Sequence, residues 1–175
     1  MNTTIKTIWN FVTWFMVICV ASLAILLAGV RLVGLTPYTV LSGSMEPFFH
    51  VGALIYVENI SPERVAVGDP ISFVLNDDLV VVTHRVVEID EANHFFITKG
   101  DANDSADGAP VLFENLVGKV MFSIPYLGYF SNWLMRPPGL YIGITFALFL
   151  FLFILLPELL DRAVSSGSKS KSPKL

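Results

Sequence analysis

Two long apolar stretches bracket a middle segment of short, alternating character. Residues 7–30 carry no charge. As a helix they would span about 36 Å, enough to cross a hydrocarbon core of about 30 Å. Trp9 and Trp14 lie toward one end, where interfacial aromatics collect. A cleaved secretory leader is the rival reading, with Ala21, Ala24 and Ala28 as the small residues near a cut. The stretch exceeds a typical leader core of about 7–15 residues, and only Lys6 precedes it, so an anchor fits better. Residues 137–157 are also uncharged, opening on Pro137-Pro138 and running through Phe146, Phe149, Phe151 and Phe153. A second membrane helix is the simplest reading. Beyond Glu158, Asp161 and Arg162 the chain turns to Ser, Gly and Lys, which reads as a disordered polar tail.

Between the two stretches the pattern changes to strands. Short runs at 53–57, 71–75, 79–82, 86–89 and 95–98 are rich in β-branched or aromatic residues and bounded by Gly, Pro, Asn or Asp. No long helical period runs between positions 40 and 120. Asn76-Asp77-Asp78 reads as a hairpin turn and 103–110 as a loop. The expected organisation is a mostly β domain flanked by two transmembrane α-helices. Residues 1–34 form an N-terminal anchor, 35–136 the β-rich domain, 137–160 the second helix and 161–175 the tail.

Composition sharpens this picture. Of 175 residues, 54% are hydrophobic and 15% charged, which suits a membrane protein. The net charge of −4 comes with no basic stripe, so nucleic acid is not an expected partner. The single cysteine, Cys19, lies within the first apolar run and supports no disulfide framework, metal site or thiol nucleophile. Lys6 and the tail lysines put both flanks on the cytoplasmic side by the positive-inside bias. The middle segment then lies on the opposite face of the cytoplasmic membrane.

Candidate chemistry centres on Ser42-Gly43-Ser44-Met45-Glu46-Pro47, a polar turn beside the anchor. A serine next to glycine is ordinarily a turn residue. To act as a nucleophile, Ser44 needs a base to take its proton. His50, His84 and His94 are available, and His84, between two strand-like runs, has the most rigid setting. Without a serine partner it would read as a half-buried strand residue. A carboxylate to orient the imidazole could come from Asp101, Asp104 or Asp107. Spacing does not choose among them. A calcium loop over the same residues lacks its closing Glu, and no metal or cofactor is expected. Neither a His-Glu-x-x-His metalloprotease motif nor a Gly-x-Ser-x-Gly esterase elbow occurs.

With these residues in view, the sequence resembles signal peptidase I of the endoplasmic-reticulum type, the Ser/His branch that includes the catalytic subunit of the eukaryotic signal peptidase complex and archaeal and Gram-positive relatives. The matching stretches are 41–47, Val67-Gly68-Asp69, 83–87, Thr98-Lys99-Gly100-Asp101 with Asp107 beyond it, and 117–120 leading into Ile124-Pro125-Tyr126. They fall in the family's order over about residues 38–130. The resemblance implies a signal-peptidase-like β-fold and a serine endopeptidase that removes signal peptides from exported precursors after small residues. It implies Ser44 as nucleophile, His84 as general base, Asp107 ahead of Asp101 as the base's orienter, and Ser42 with the Ser44 amide as oxyanion donors. Partners implied are signal peptides, the lipid bilayer and the protein export machinery. Two departures stand out: Ala53 where relatives often carry Asp, and Ala102-Asn103 where a double Asn is common. The alternative is a catalytically inactive, membrane-anchored β-domain serving as an accessory subunit.

Overall fold

The computed structural model describes residues 3–75 and 80–169, the last twelve as backbone alone. The chain divides into two compact units, one made of residues 1–23 with 133–175 and the other of Ala24–Asn132.

The first unit is helical. Helix α1 (Thr3–Leu27) and the first nineteen residues of the C-terminal helix, Gly139–Pro157, are each long and apolar enough to cross a membrane. Within the unit, Trp9 stacks on Phe153 with centroids 3.9 Å apart. The C-terminal helix extends over Gly139–Lys169, past the expected end at about residue 160. Residues 161–169, expected to be disordered, are therefore helical, and 170–175 lie outside the described residues. Glu158, Leu159, Leu160 and Ala163 are good helix formers. An established helix propagates into such a segment without a new nucleation cost.

The second unit is a single seven-stranded antiparallel sheet. Its strands are β1 (Leu35–Thr39), β2 (Leu54–Glu58), β3 (Pro70–Val74), β4 (Val81–Asp90), β5 (Phe95–Lys99), β6 (Val111–Leu112) and β7 (Leu116–Ile124). They pair in the order β1-β2-β7-β3-β4-β5-β6. Strand β4 is continuous through His84 and takes in residues 81–82 and 86–89 of the two runs read on either side of it. The 103–110 loop is confirmed as irregular chain before β6, whereas the Asn76–Asp78 hairpin turn lies outside the described residues. Strand β1 was not legible because Pro37 interrupts the pattern; proline is tolerated there because β1 borders the sheet. A short helix α2 (Leu127–Leu134) follows β7.

Two apolar clusters hold the sheet. One gathers Ile60, Val65, Ile71, Phe73, Val86, Phe96 and Val111. The other gathers Met45, Phe49, Ile55, Val57 and Val120. Each fully buried side chain of this size contributes about 1.5–3 kcal/mol.

Candidate active site

Ser44 sits in a turn just beyond β1. The Glu46 amide donates to the Gly43 carbonyl at 3.0 Å, and the amides of Phe48 and Phe49 both reach the Met45 carbonyl at 2.9 Å. Met45 and Phe49, four positions apart, are buried in the second apolar cluster and pin the turn inward. Ser44, immediately before Met45, keeps partial exposure. This is a rigid mounting for a hydroxyl.

The turn is also held from the other side. The Ala102 amide donates to the Ser44 carbonyl at 2.9 Å, tying the loop after β5 to the turn. Gly100 permits that approach. A Cβ there would lie 2.7 Å from the Ser44 carbonyl oxygen and 2.8 Å from the Asn103 side-chain nitrogen. The first neighbour is backbone and cannot swing away. Gly100→Ala should therefore displace the Ser44 turn and lower kcat by about 100-fold, because sub-ångström to 1 Å misplacements have that scale of effect. A kcat loss below twofold in a folded Gly100→Ala protein would show that the turn tolerates the shift.

His84 lies on β4 opposite Ile71 of β3. Its ring packs edge-on toward Phe73, with centroids 6.3 Å apart. Nε2 is 3.1 Å from the Ser44 hydroxyl and Nδ1 is 2.6 Å from Asp107 Oδ2. The side chains of His84 and Asp107 are only 12% and 21% exposed, so water competes weakly for these bonds. A carboxylate at Nδ1 demands a proton there. That fixes the neutral tautomer with its lone pair on Nε2, facing the Ser44 hydroxyl.

Asp107 is itself anchored. Its amide donates to the Thr98 carbonyl at 2.8 Å, and the Thr98 hydroxyl donates to Oδ2 at 2.6 Å. Thr98 is fully buried on β5. Reading by sequence gave Thr98 no role, although it opens the Thr98-Lys99-Gly100-Asp101 stretch. A threonine interrupting an apolar strand was the available signal.

Asp101 does not reach His84. It grips Arg85 through two hydrogen bonds, from Nε to Oδ1 at 2.7 Å and from Nη2 to Oδ2 at 2.6 Å. Arg85 Nη1 donates to the Gly68 carbonyl at 2.7 Å. Hydrogen bonding to the Asp101 carboxylate raises the Arg85 guanidinium above its usual value. Asp104 offers Lys99 only its backbone carbonyl, at 3.4 Å. His50 is exposed beside Glu46, and His94 packs near Phe113. The structure thus brings together Ser44, His84 and Asp107.

The Ser42 hydroxyl lies 3.3 Å from that of Ser44, on the same side of the turn. A groove of about 440 Å³ opens at Ser44, lined by residues 38–42 and 80–83 together with Met45, Phe49 and Ile55. Its lining is mostly apolar. Among the described residues, no three His, Cys, Asp or Glu side chains are arranged to hold a metal ion.

No protein-family model matches the chain. Curated relatives do. The chain is 48% identical over 86 residues to signal peptidase I W of Bacillus subtilis, covering 47% of this chain and 45% of that protein. It is 34% identical over 107 residues to the signal peptidase complex catalytic subunit SEC11 of Zygosaccharomyces rouxii, covering 54% and 63%. It is 33% identical over 99 residues to the signal peptidase complex catalytic subunit SEC11C of Homo sapiens, covering 51% and 52%. The matches thus span about half the length of these relatives. These similarities support kinship with signal peptidase I of the endoplasmic-reticulum type.

Proposed function

We propose that this chain is a membrane-bound serine endopeptidase that removes N-terminal signal peptides from exported proteins. The observation that carries the reading is the unbroken hydrogen-bonded line from the Ser44 hydroxyl through both ring nitrogens of His84 to Asp107. Kinship with named signal peptidases supplies the substrate class.

In the proposed reaction the precursor lies extended in the apolar groove, with small side chains at −3 and −1 facing its lining. Ser44 Oγ attacks the carbonyl carbon of residue −1 while His84 Nε2 takes the hydroxyl proton. Asp107 steadies the imidazolium through Nδ1–H. Negative charge gathers on the carbonyl oxygen, where the Ser44 amide and Ser42 hydroxyl would donate. Each good donor contributes about 3 kcal/mol to the transition state. The intermediate collapses, the peptide C–N bond breaks, and His84 returns the proton to the departing amine. Water then attacks the Ser44 ester with His84 again as base, releasing the signal peptide and restoring the hydroxyl.

The apolar helices give the rest of the reading. With both flanks cytoplasmic, α1 and the C-terminal helix would anchor the chain in the cytoplasmic membrane and put the β domain on the extracytoplasmic face. Sharing a bilayer with the precursor's apolar segment raises effective concentration without new contacts. The protein export machinery is the natural supplier of such precursors.

Full-length protein in lipid vesicles, given a labelled precursor, should cut it once after an Ala-x-Ala segment. Intact precursor after prolonged incubation would favour a non-catalytic accessory subunit.

A further inference from the structure

Phe48 follows the Ser44 turn and is 63% exposed, whereas its neighbour Phe49 is buried. An exposed phenylalanine is unremarkable by itself. This one is held in place. Its amide donates to the Met45 carbonyl at 2.9 Å, and its ring meets Phe49 edge-on at 5.1 Å. The Arg85 guanidinium sits 4.8 Å from the ring centroid. That guanidinium is itself fixed by Asp101 and the Gly68 carbonyl.

The Ser44 turn gives the ring a position relative to the chemistry. Val80–Thr83 border the groove, His84 faces the Ser44 hydroxyl, and Arg85 carries Phe48. His84 and Arg85 leave β4 on opposite faces, so Phe48 is tied to the site by its own turn, four residues after Ser44, and by the Arg85 guanidinium that reaches it. Phe48 does not line the groove, although Phe49 does.

We propose that Phe48 is a specificity-determining residue for the mature side of the cleavage site: its ring receives an apolar side chain from one of the first two residues after the scissile bond. This rests on the peptidase reading above. A precursor lying in the groove up to residue −1 continues past Ser44, and Phe48 is the exposed aromatic of that same turn outside the groove. Successive side chains of an extended chain point to opposite faces, so one of residues +1 and +2 faces the ring. The paired Arg85–Asp101 charges leave no net positive charge to attract an acidic side chain there. An apolar side chain gains by covering the ring, and a carboxylate loses hydration.

The test uses full-length protein in vesicles and three precursors identical up to residue −1, carrying Ala-Ala, Leu-Leu or Asp-Asp at +1 and +2. Wild type should cut Leu-Leu with kcat/KM roughly tenfold above Asp-Asp, a typical scale for one apolar contact. Phe48→Ala should bring that ratio to within twofold, chiefly by losing rate on Leu-Leu, and Phe48→Leu should keep part of the preference. A preserved ratio in Phe48→Ala would overturn the proposal. So would an equal fall on all three precursors, which would mean that Phe48 only props the Ser44 turn. Failure of wild type to cut any of the three would instead overturn the peptidase reading itself.

Discussion

Ser44→Ala should abolish precursor cleavage, by about 10⁴-fold or more, while leaving the protein folded and in the membrane. The magnitude follows from the proposed mechanism, in which the Ser44 hydroxyl forms the acyl bond; serine-protease-type sites lose activity on this scale when one member goes. Structural damage should be small. The lost hydroxyl makes hydrogen bonds to His84 at 3.1 Å and to the Ser42 hydroxyl at 3.3 Å, while Met45, Phe49 and the Ala102 amide continue to hold the turn. A stability change within about 1 kcal/mol is expected for such a partly exposed position. Cleavage of a labelled precursor and a thermal melt on the same preparation check both halves. Substantial turnover by a well-folded Ser44→Ala protein would remove the serine mechanism.

The second large effect concerns the choice between two carboxylates. Asp107→Asn should lower kcat by roughly 10³–10⁴-fold with little change in KM. An asparagine amide can donate to His84 Nδ1, which moves the ring proton to Nε2 and turns the base away from its task. Asp101→Asn should act differently. It loosens the two-bond grip on Arg85 and hence the loop that holds the Ser44 carbonyl, so a fall of about tenfold accompanied by a lower melting temperature is expected. Measured kcat and melting temperature for both variants decide the matter. If Asp101→Asn were the more damaging to kcat at unchanged stability, the assignment of the two carboxylates would be reversed.

That pair of variants also marks the limit of what the chain discloses before it folds. Strand composition and turn residues were sufficient to read a mostly β domain between two apolar helices, because burial period and chain-breaking residues are local properties. His84 could be ranked above His50 and His94 for the same local reason, its setting between β-branched runs. Choosing among Asp101, Asp104 and Asp107 from the residues themselves was not possible. They share one short loop, and their roles depend on how that loop folds back over β4 and β5. The register opposing Arg85 with Lys99 and Val86 with Thr98 sets that geometry, and a shift in the pairing falls between Val86 and Glu88. Thr98 escaped notice because its use is tertiary: it braces a carboxylate nine positions away in sequence. The run of the C-terminal helix to Lys169 escaped because polar composition alone cannot separate a loose tail from a helix already under way.

The two apolar clusters have a consequence for how the molecule fails. The hydroxyl is mounted on the cluster containing Met45 and Phe49, and the imidazole on the one containing Phe73 and Val86. Alignment of donor and acceptor therefore depends on both halves of the interior keeping the same spacing. Slight softening of either half, by warming or by a cavity far from Ser44 and His84, would break that alignment well before the sheet melts.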